Sequence, residues 1–260
     1  MHAVLAAVLA ALVAAVAAGC GAEPEGVAST GPVEPAVVAS AADATARAGA
    51  ARMEITVDVQ GVTLHGTGVV DAAGQRARLA LTVPDAGTFE SRFLGGVMYQ
   101  RVPPGLSRLP DGKHWARFDL ARYMREHGLD VSALRPVAGE PWSHVDELTG
   151  ATRVERLGSE RVRGVPTTHY EAEVDLRAVG WRSEAARRTA EELIELGGGR
   201  TTYPIEVWLD GEGRLRRKRL TQTLEGDRLT NTIELYGFGA DATVVPPPAG
   251  DTVDVTDRAP

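Results

Sequence analysis

The stretch RMEITVDVQGVTLHGTGVVD, residues 52–71, decides the fold. Its first half alternates charged or polar side chains with apolar ones, and the apolar set comprises Met53, Ile55, Val57 and Val59. A repeat of two residues predicts a β-strand with one dry face and one face in water. Gly61 predicts a turn, after which residues 62–70 carry the same pattern on a second strand. The stretch therefore predicts an antiparallel hairpin that begins a β-meander.

The same two-residue pattern extends through most of the chain. Turns rich in glycine and aspartate, such as DGEG at 210–213, separate its segments. The pattern predicts strands at 77–83, 88–94, 97–102, 114–118, 152–157, 165–176, 204–209, 214–224 and 228–238. The sum is an α+β fold with about ten antiparallel strands and a few helices segregated to one face.

Three helices interrupt the strands, each with a start signal in the sequence. Asp119 predicts the N-cap of a helix that ends at Gly128. Ser143 predicts a capping box for a short helix that ends at Gly150. Ser183 predicts the N-cap of the third and clearest helix, which ends at a run of three glycines.

The front of the chain has the pattern of a secretory signal. Residues 3–18 contain only Ala, Val and Leu, and this run is short for a bilayer-spanning helix, which needs about 20 residues. It ends in Ala17-Ala18-Gly19-Cys20, which resembles the lipobox of bacterial lipoproteins. We therefore predict that residues 1–19 are a signal peptide and that Cys20 is the lipid-attachment residue. The predicted location is the outer face of the cell membrane, with the chain held there by its lipid anchor.

The remainder divides into three parts by composition. Residues 20–44 are rich in Gly, Ala, Pro, Glu, Ser and Thr with no aromatic residue, which predicts a lipidated cysteine followed by a flexible tether. Residues 45–245 form one predicted domain, since no linker interrupts them. Residues 246–260 form a Pro-rich acidic tail, expected to be a strap or a frayed end.

Composition also excludes several classes of function. The formal net charge of −7 argues against nucleic-acid binding, which needs a basic surface. One cysteine excludes an internal disulfide framework. The sequence has no Gly-x-Ser-x-Gly elbow and no phosphate-binding glycine loop, and its histidines are scattered without metal-ligand spacing. We therefore predict no catalytic residue, no metal, no cofactor and no enzymatic activity.

Five motifs in order resemble those of a known family. They are GTGVVD at 66–71, VMYQRVP at 97–103, KHWARFDL at 113–120, VRGVPTTHY at 162–170 and PIEVWLDGEGRL at 204–215. Behind a lipobox, this order resembles the actinobacterial lipoproteins of the LppX/LprG type, which share a LolA-like half-barrel. The resemblance covers nearly all of residues 45–240. It implies a curved antiparallel sheet around helices, with a hydrophobic cavity for the acyl chains of envelope lipids or glycolipids.

Two sets of residues follow as candidate sites. A lipid cavity needs apolar side chains on the concave face, although the same side chains would serve equally as a closed core. The candidates are Met53, Ile55, Val57, Leu79, Leu81, Tyr123, Met124, Leu148, Leu193, Ile194, Val207 and Leu209. The second set is a basic run that either contacts anionic lipid headgroups or protects a solvated sheet edge against aggregation by its charge. It comprises Arg214, Arg216, Arg217, Lys218 and Arg219.

The predicted function is a membrane-anchored carrier of lipid or glycolipid. The alternative is a non-enzymatic sensor or interaction module without lipid cargo. Its partner would be an envelope transporter or a regulatory protein.

Overall fold

The structure, a computed structural model, describes residues 30–101, 103, 109–119, 122, 140–196, 199–224 and 227–256. The predicted signal peptide and Cys20 lie outside the described residues. So do Tyr123, Met124 and most of the helix predicted after Asp119, and the side chain of Leu193. Asp119 nevertheless accepts a hydrogen bond of 3.0 Å from the backbone N–H of Arg122, which is a capping contact.

Within these residues, thirteen strands form one sheet. Their bounds are β1 Gly31–Val33, β2 Ala51–Val59, β3 Val62–Asp71, β4 Arg76–Val83, β5 Gly87–Leu94, β6 Val97–Arg101, β7 Trp115–Asp119, β8 Ala151–Val162, β9 Val165–Asp175, β10 Thr202–Asp210, β11 Leu215–Leu224, β12 Asp227–Tyr236 and β13 Thr252–Asp254. The order across the sheet is β1-β8-β9-β10-β11-β12-β2-β3-β4-β5-β6-β7-β13. The sheet is open, and β1 and β13 form its edges.

The α+β fold with an open, curved sheet and few helices is confirmed, although the strand count exceeds the expected ten. Described neighbours pair antiparallel except β13, which lies parallel to β7. The two strands that the sequence analysis missed are the three-residue edges β1 and β13. Strands this short carry too few residues to show a two-residue repeat, so only their long-range partners define them.

The described helices are few and short. They are α1 Ala36–Arg47, α2 Ser143–Asp146 and α3 Glu184–Leu196, with 3₁₀ turns at Pro110–Gly112, Glu147–Gly150 and Ala249–Asp251. The helix α1 packs against α2, the 3₁₀ turn that follows α2, β8 and β11. These helices lie on the inner face of the sheet, where Met53 and Val57 of β2 are fully buried.

The tether predicted for residues 20–44 is wrong over its second half. Residues 31–33 form β1, and α1 begins at Ala36. Val38, Ala41, Ala42 and Thr45 follow the helical spacing and are all buried, so small side chains let this helix approach the sheet closely. The Thr45 hydroxyl also accepts a 2.9 Å hydrogen bond from the backbone N–H of Leu215. The folded domain therefore includes residues ahead of the predicted start at 45, back to the strand at Gly31–Val33.

The C-terminal segment is also part of the fold. Residues 246–260, predicted as a tail, contain β13, which adds to the edge of the sheet at β7. Asp254 pairs with Arg117 at 2.6 Å, and Asp251 pairs with His114 at 2.7 Å. The acidic residues thus fasten the segment as a strap along β7, which was one of the two expected alternatives. The described part of this segment therefore belongs to the sheet and is not separate from the domain.

The two serine caps had different outcomes. The Ser183 hydroxyl accepts a 3.0 Å hydrogen bond from the backbone N–H of Ala186, which confirms it as a cap of α3. Ser143 is instead a buried first residue of α2, and the residue before it, Trp142, has no side-chain cap contact. The capping box predicted at Ser143 is therefore wrong, although the helical segment does end at Gly150.

Gly68 marks the closest approach of two strands. A Cβ atom at Gly68 would lie 2.1 Å from the carbonyl oxygen of Arg78 on β4. We predict that Gly68→Ala lowers the free energy of unfolding by about 3 kcal/mol, because the two backbones must separate. Chemical denaturation measures this difference. The control is Gly211→Ala, where a Cβ atom meets open space; a change as large as that at Gly68 would contradict the account.

Candidate functional site

The predicted cavity residues all face the interior of the sheet where the structure describes them. Those that are buried are Met53, Ile55, Val57, Leu79, Leu81, Leu148, Ile194, Val207 and Leu209. Most of them belong to one packed core cluster, while Ile194 packs in a smaller cluster with Ala190 and Leu176. Most of the candidate set therefore packs as a core where it is described.

The two halves of the concave face differ in what covers them. Helix α1 packs on β8 and β11, and the 3₁₀ turn after α2 packs on β9. On the other half, Trp142 meets Phe93 of β5 edge-on, with ring centroids 6.3 Å apart. None of the described helices packs extensively on β3 to β7. The apolar side chains of that half follow from the strand register, and they are Leu64, Leu79, Leu81, Phe89 and Met98. We call this set the concave apolar surface.

The concave apolar surface becomes more exposed towards the end of the sheet that carries the β2–β3 and β4–β5 turns. Leu79 and Leu81 are buried, Leu64 and Phe89 are half-buried, and Val62 at the start of β3 is 45% exposed. Gly66 lies on the same face, where a Cβ atom would approach the Leu81 Cδ1 atom to 3.2 Å. The bare backbone at Gly66 thus leaves room for the leucines of β4. The outcome is a continuous apolar wall that is covered at one end and accessible at the other.

A polar group lies inside the covered half. Lys218 of β11 faces inward between Val207 and Ile233, and its ammonium forms an ion pair with the Glu147 carboxylate. The Lys218 side chain is 3% exposed and that of Glu147 is 12% exposed. His144 lies beside them with its Nδ1 atom 3.6 Å from Glu147. We call Lys218, Glu147, His144 and Tyr203 the interior polar cluster.

The charges of the interior polar cluster offset each other. Burial alone would raise the pKa of Glu147, but the Lys218 ammonium holds that pKa well below its usual range. Burial lowers the pKa of His144, and the Lys218 charge lowers it further, so the imidazole is neutral at pH 7. Burial and the Glu147 charge raise the pKa of Tyr203 well above its usual value. The cluster therefore holds one cation, one anion and two neutral groups.

The sequence analysis placed Lys218 in a surface patch, and the structure places it in the interior. The sequence carries a signal for this inward position, since side chains alternate between the two faces of a strand. Lys218 and Leu220 are two residues apart on β11 and therefore share one face. The other four members of the basic run are also paired with carboxylates. Arg214 and Arg216 lie 2.9 Å and 3.7 Å from Asp210.

Arg217 and Arg219 belong to a layer on the convex face. Arg217 pairs with Glu234 at 2.7 Å, and Arg219 lies 3.5 Å from Glu206. Both guanidinium groups also lie over the Trp208 ring, about 5 Å from its centroid. His169 stacks on the same ring at 4.1 Å. These contacts bury Trp208 under charged side chains, so the basic run is engaged within the protein.

A metal site and a membrane-spanning helix are both absent from the described part of the chain. Among those residues, no three His, Cys, Asp or Glu side chains gather closely enough to hold a metal ion. No helix in the described ranges has both the length and the apolar character needed to cross a bilayer.

Comparison with known proteins identifies relatives from Streptomyces. A 31.2 kDa Streptomyces griseus protein from the rplA–rplJ intergenic region is 28% identical over 176 residues, which are 65% of this chain. The match spans 57% of the length of that relative. The Streptomyces coelicolor protein named "Putative lipoprotein SCO4650" is 26% identical over 234 residues, 81% of this chain and 71% of its own length. No family model matches the chain.

Solved structures with a similar chain path come from mycobacteria. Lipoprotein LppX of Mycobacterium tuberculosis has a TM-score of 0.46 and 17% identity, over 78% of this chain and 95% of its own. LprF of Mycobacterium bovis has a TM-score of 0.47 and 14% identity, over 82% and 96%. The chain is thus similar to actinobacterial lipoproteins of the LppX/LprG type, as the motif order predicted.

The ion pair of the interior polar cluster makes a strong prediction about stability. We expect Lys218→Met to lower the free energy of unfolding by about 3–5 kcal/mol, because Glu147 is left charged and buried without its partner. Adding Glu147→Gln to Lys218→Met should recover most of the loss. Urea denaturation at pH 7 measures both differences.

The control is Arg219→Met, one residue along on the convex face, with an expected change of less than about 1 kcal/mol. Because the pKa of Glu147 is lowered on folding, its contribution is present above the unfolded value of about 4.3 and is lost as the pH falls below it. A Lys218→Met protein as stable as the wild type would contradict the buried ion pair.

Proposed function

We propose that this chain is an exported, lipid-anchored protein of the cell envelope that holds an acyl chain against the concave apolar surface. The observation that carries the proposal is the gradient of exposure along the concave apolar surface. Leu79 and Leu81 are buried, Leu64 and Phe89 are half-buried, and Val62 is 45% exposed, so a continuous apolar wall becomes accessible towards Val62.

The chemistry of that wall suits an acyl chain. Its side chains are apolar and come from neighbouring strands, so they form a strip rather than a point contact. Each methylene removed from water contributes about 0.8 kcal/mol, and eight methylenes on this strip would contribute about 6 kcal/mol before ordering costs. That gain is sufficient for reversible binding, which is what a carrier requires.

The anchor is the second part of the proposal. Residues 1–19 would act as a signal peptide and Cys20 would carry the lipid, as the lipobox resemblance implies. Ten residues separate Cys20 from β1 at Gly31. Ten residues reach at most about 35 Å, even when fully extended. The domain would therefore lie close to the outer face of the membrane, within reach of lipids leaving the bilayer.

A tryptophan on the concave apolar surface tests the binding site. Ser91 lies on β5 opposite Leu79 and faces the concave side, whereas Thr88 on the same strand faces outward opposite Thr82. We expect Ser91→Trp to reduce the acyl lipid that co-purifies with the protein at least about five-fold, because the indole fills the strip. Thr88→Trp should leave the lipid content unchanged.

Mass spectrometry of lipids extracted from protein purified from actinobacterial membranes provides the measurement. The lipid anchored at Cys20 is covalent and stays with the protein, so the extract reports the bound lipid alone. A wild-type protein without extractable acyl lipid would overturn the proposal, and so would an equal loss in both tryptophan variants.

The anchor has its own test. We expect Cys20→Ser to abolish metabolic labelling of the protein with radioactive palmitate and to release it from the membrane fraction, since a serine cannot form the thioether. Labelling that persists in the Cys20→Ser protein would place the lipid on another residue, and a wild-type protein without label would exclude the anchor.

A further inference from the structure

The convex face carries a groove that the acyl-binding proposal does not use. It lies where the chain leaves β12 and turns back over the sheet, and its volume is about 690 Å³. This volume is within the range of about 300–1,000 Å³ found for small-molecule sites. The groove is lined by Arg52, Thr67, Gly68, Val69, Arg78, Tyr236, Gly237, Phe238, Gly239, Ala240 and Asp241.

Two arginines occupy the floor of this groove. Arg52 of β2 is paired with Val69 of β3, and Val69 is paired with Arg78 of β4, so the two arginines flank Val69 on one face. Two strand spacings place their Cα atoms about 10 Å apart. Both side chains are exposed. Two long guanidinium side chains at this separation can reach a single anion between them.

These two arginines differ from Arg163 and Arg217 of the convex face. Arg163 pairs with Glu54 at 2.5 Å and Glu234 at 2.6 Å, and Arg217 pairs with Glu234. In contrast, neither Arg52 nor Arg78 has a hydrogen bond or ion pair with any residue in the described ranges. Two neighbouring positive charges that form no direct ion pair with a carboxylate attract an anion from solution.

The one carboxylate that lines the groove is already engaged. Asp241 Oδ1 accepts hydrogen bonds from the backbone N–H and the hydroxyl of Thr243, at 2.8 Å and 2.7 Å. These hydrogen bonds lower the pKa of Asp241, and the positive charge of Arg78 lowers it further. The groove is thus lined by two cations and one anion, and that anion is already hydrogen-bonded.

The backbone at the wall of the groove positions Arg52. Gly237 has a φ of 57° and Gly239 a φ of 82°, so both adopt the left-handed conformation that favours glycine. A Cβ atom at Gly237 would lie 3.4 Å from the Arg52 Cδ atom. The glycine turn therefore lies along the aliphatic part of Arg52 and limits where its guanidinium can point.

We propose that this groove binds a phosphate ester, with Arg52 and Arg78 as the ligands of its phosphate group. A tetrahedral phosphate offers oxygens in several directions, so two guanidinium groups can each donate to it from opposite sides. A carboxylate offers one planar edge and suits a single arginine. The volume exceeds that of a phosphate ion, so the groove has room for the organic part of the ester beside the phosphate. The inference does not depend on the acyl-binding proposal.

The test compares the full chain carrying Arg52→Gln and Arg78→Gln with a control carrying Arg153→Gln and Arg187→Gln. Both doubles remove two positive charges, and the control arginines are exposed and distant from the groove. Cys20→Ser is present throughout, so acylation does not contribute. One arm titrates inorganic phosphate by calorimetry. The other measures co-sedimentation with phosphatidylglycerol vesicles relative to phosphatidylcholine vesicles.

We expect the groove double to weaken phosphate binding at least about ten-fold, with an unchanged melting temperature, while the control double binds as the wild type does. Phosphate binding without a preference for phosphatidylglycerol assigns a soluble phosphate ester to the groove. A preference that phosphate competes away assigns a lipid headgroup. Absence of binding in both arms, or equal losses in the two doubles, overturns the proposal.

Discussion

The two-residue alternation of β2 is the constraint on which the rest of the structure depends. This strand lies at the centre of the thirteen-stranded sheet and pairs antiparallel with β12 and β3. Because paired residues point to the same face of a sheet, the alternation in β2 determines which side chains face inward in both halves. Met53 and Val57 are fully buried, and Arg52 and Asp58 are exposed. A shift by one residue would exchange the two faces and bury charges in the core. The identity of each face is therefore set at this strand.

The two faces carry different chemistry because of that parity. The concave side has an apolar wall whose exposure rises towards Val62. It also contains a buried ion pair that holds α2 and the following 3₁₀ turn against β11 through Glu147 and Lys218. The convex side is a layer of arginines and carboxylates, in which even Trp208 is covered by guanidinium and imidazole groups. Arg52 and Arg78 stand apart from that layer, since no described carboxylate pairs with them.

Much of this arrangement was predictable from the sequence, and the exceptions have physical reasons. The parity of β2, the hairpins and the cap at Ser183 depend on residues close together in the chain. The helix α1 was missed because its alanine-rich face resembles a tether in composition, although Val38 and Ala42 have helical spacing. The strand β13 was missed because three residues become a strand only when β7 lies beside them. The partners of Arg217 and Lys218 are 17 and 71 residues away, so their pairing could not be read locally.

The concave apolar surface is the central claim, and contacts between a bound acyl chain and individual methyl groups test it most directly. Nuclear Overhauser effects can be recorded between palmitate and methyl-labelled protein in deuterated detergent. The account predicts contacts from the acyl chain to Leu79, Leu81 and Met98. Contacts confined to exposed residues such as Leu157 and Val245, or no contacts at all, would contradict it.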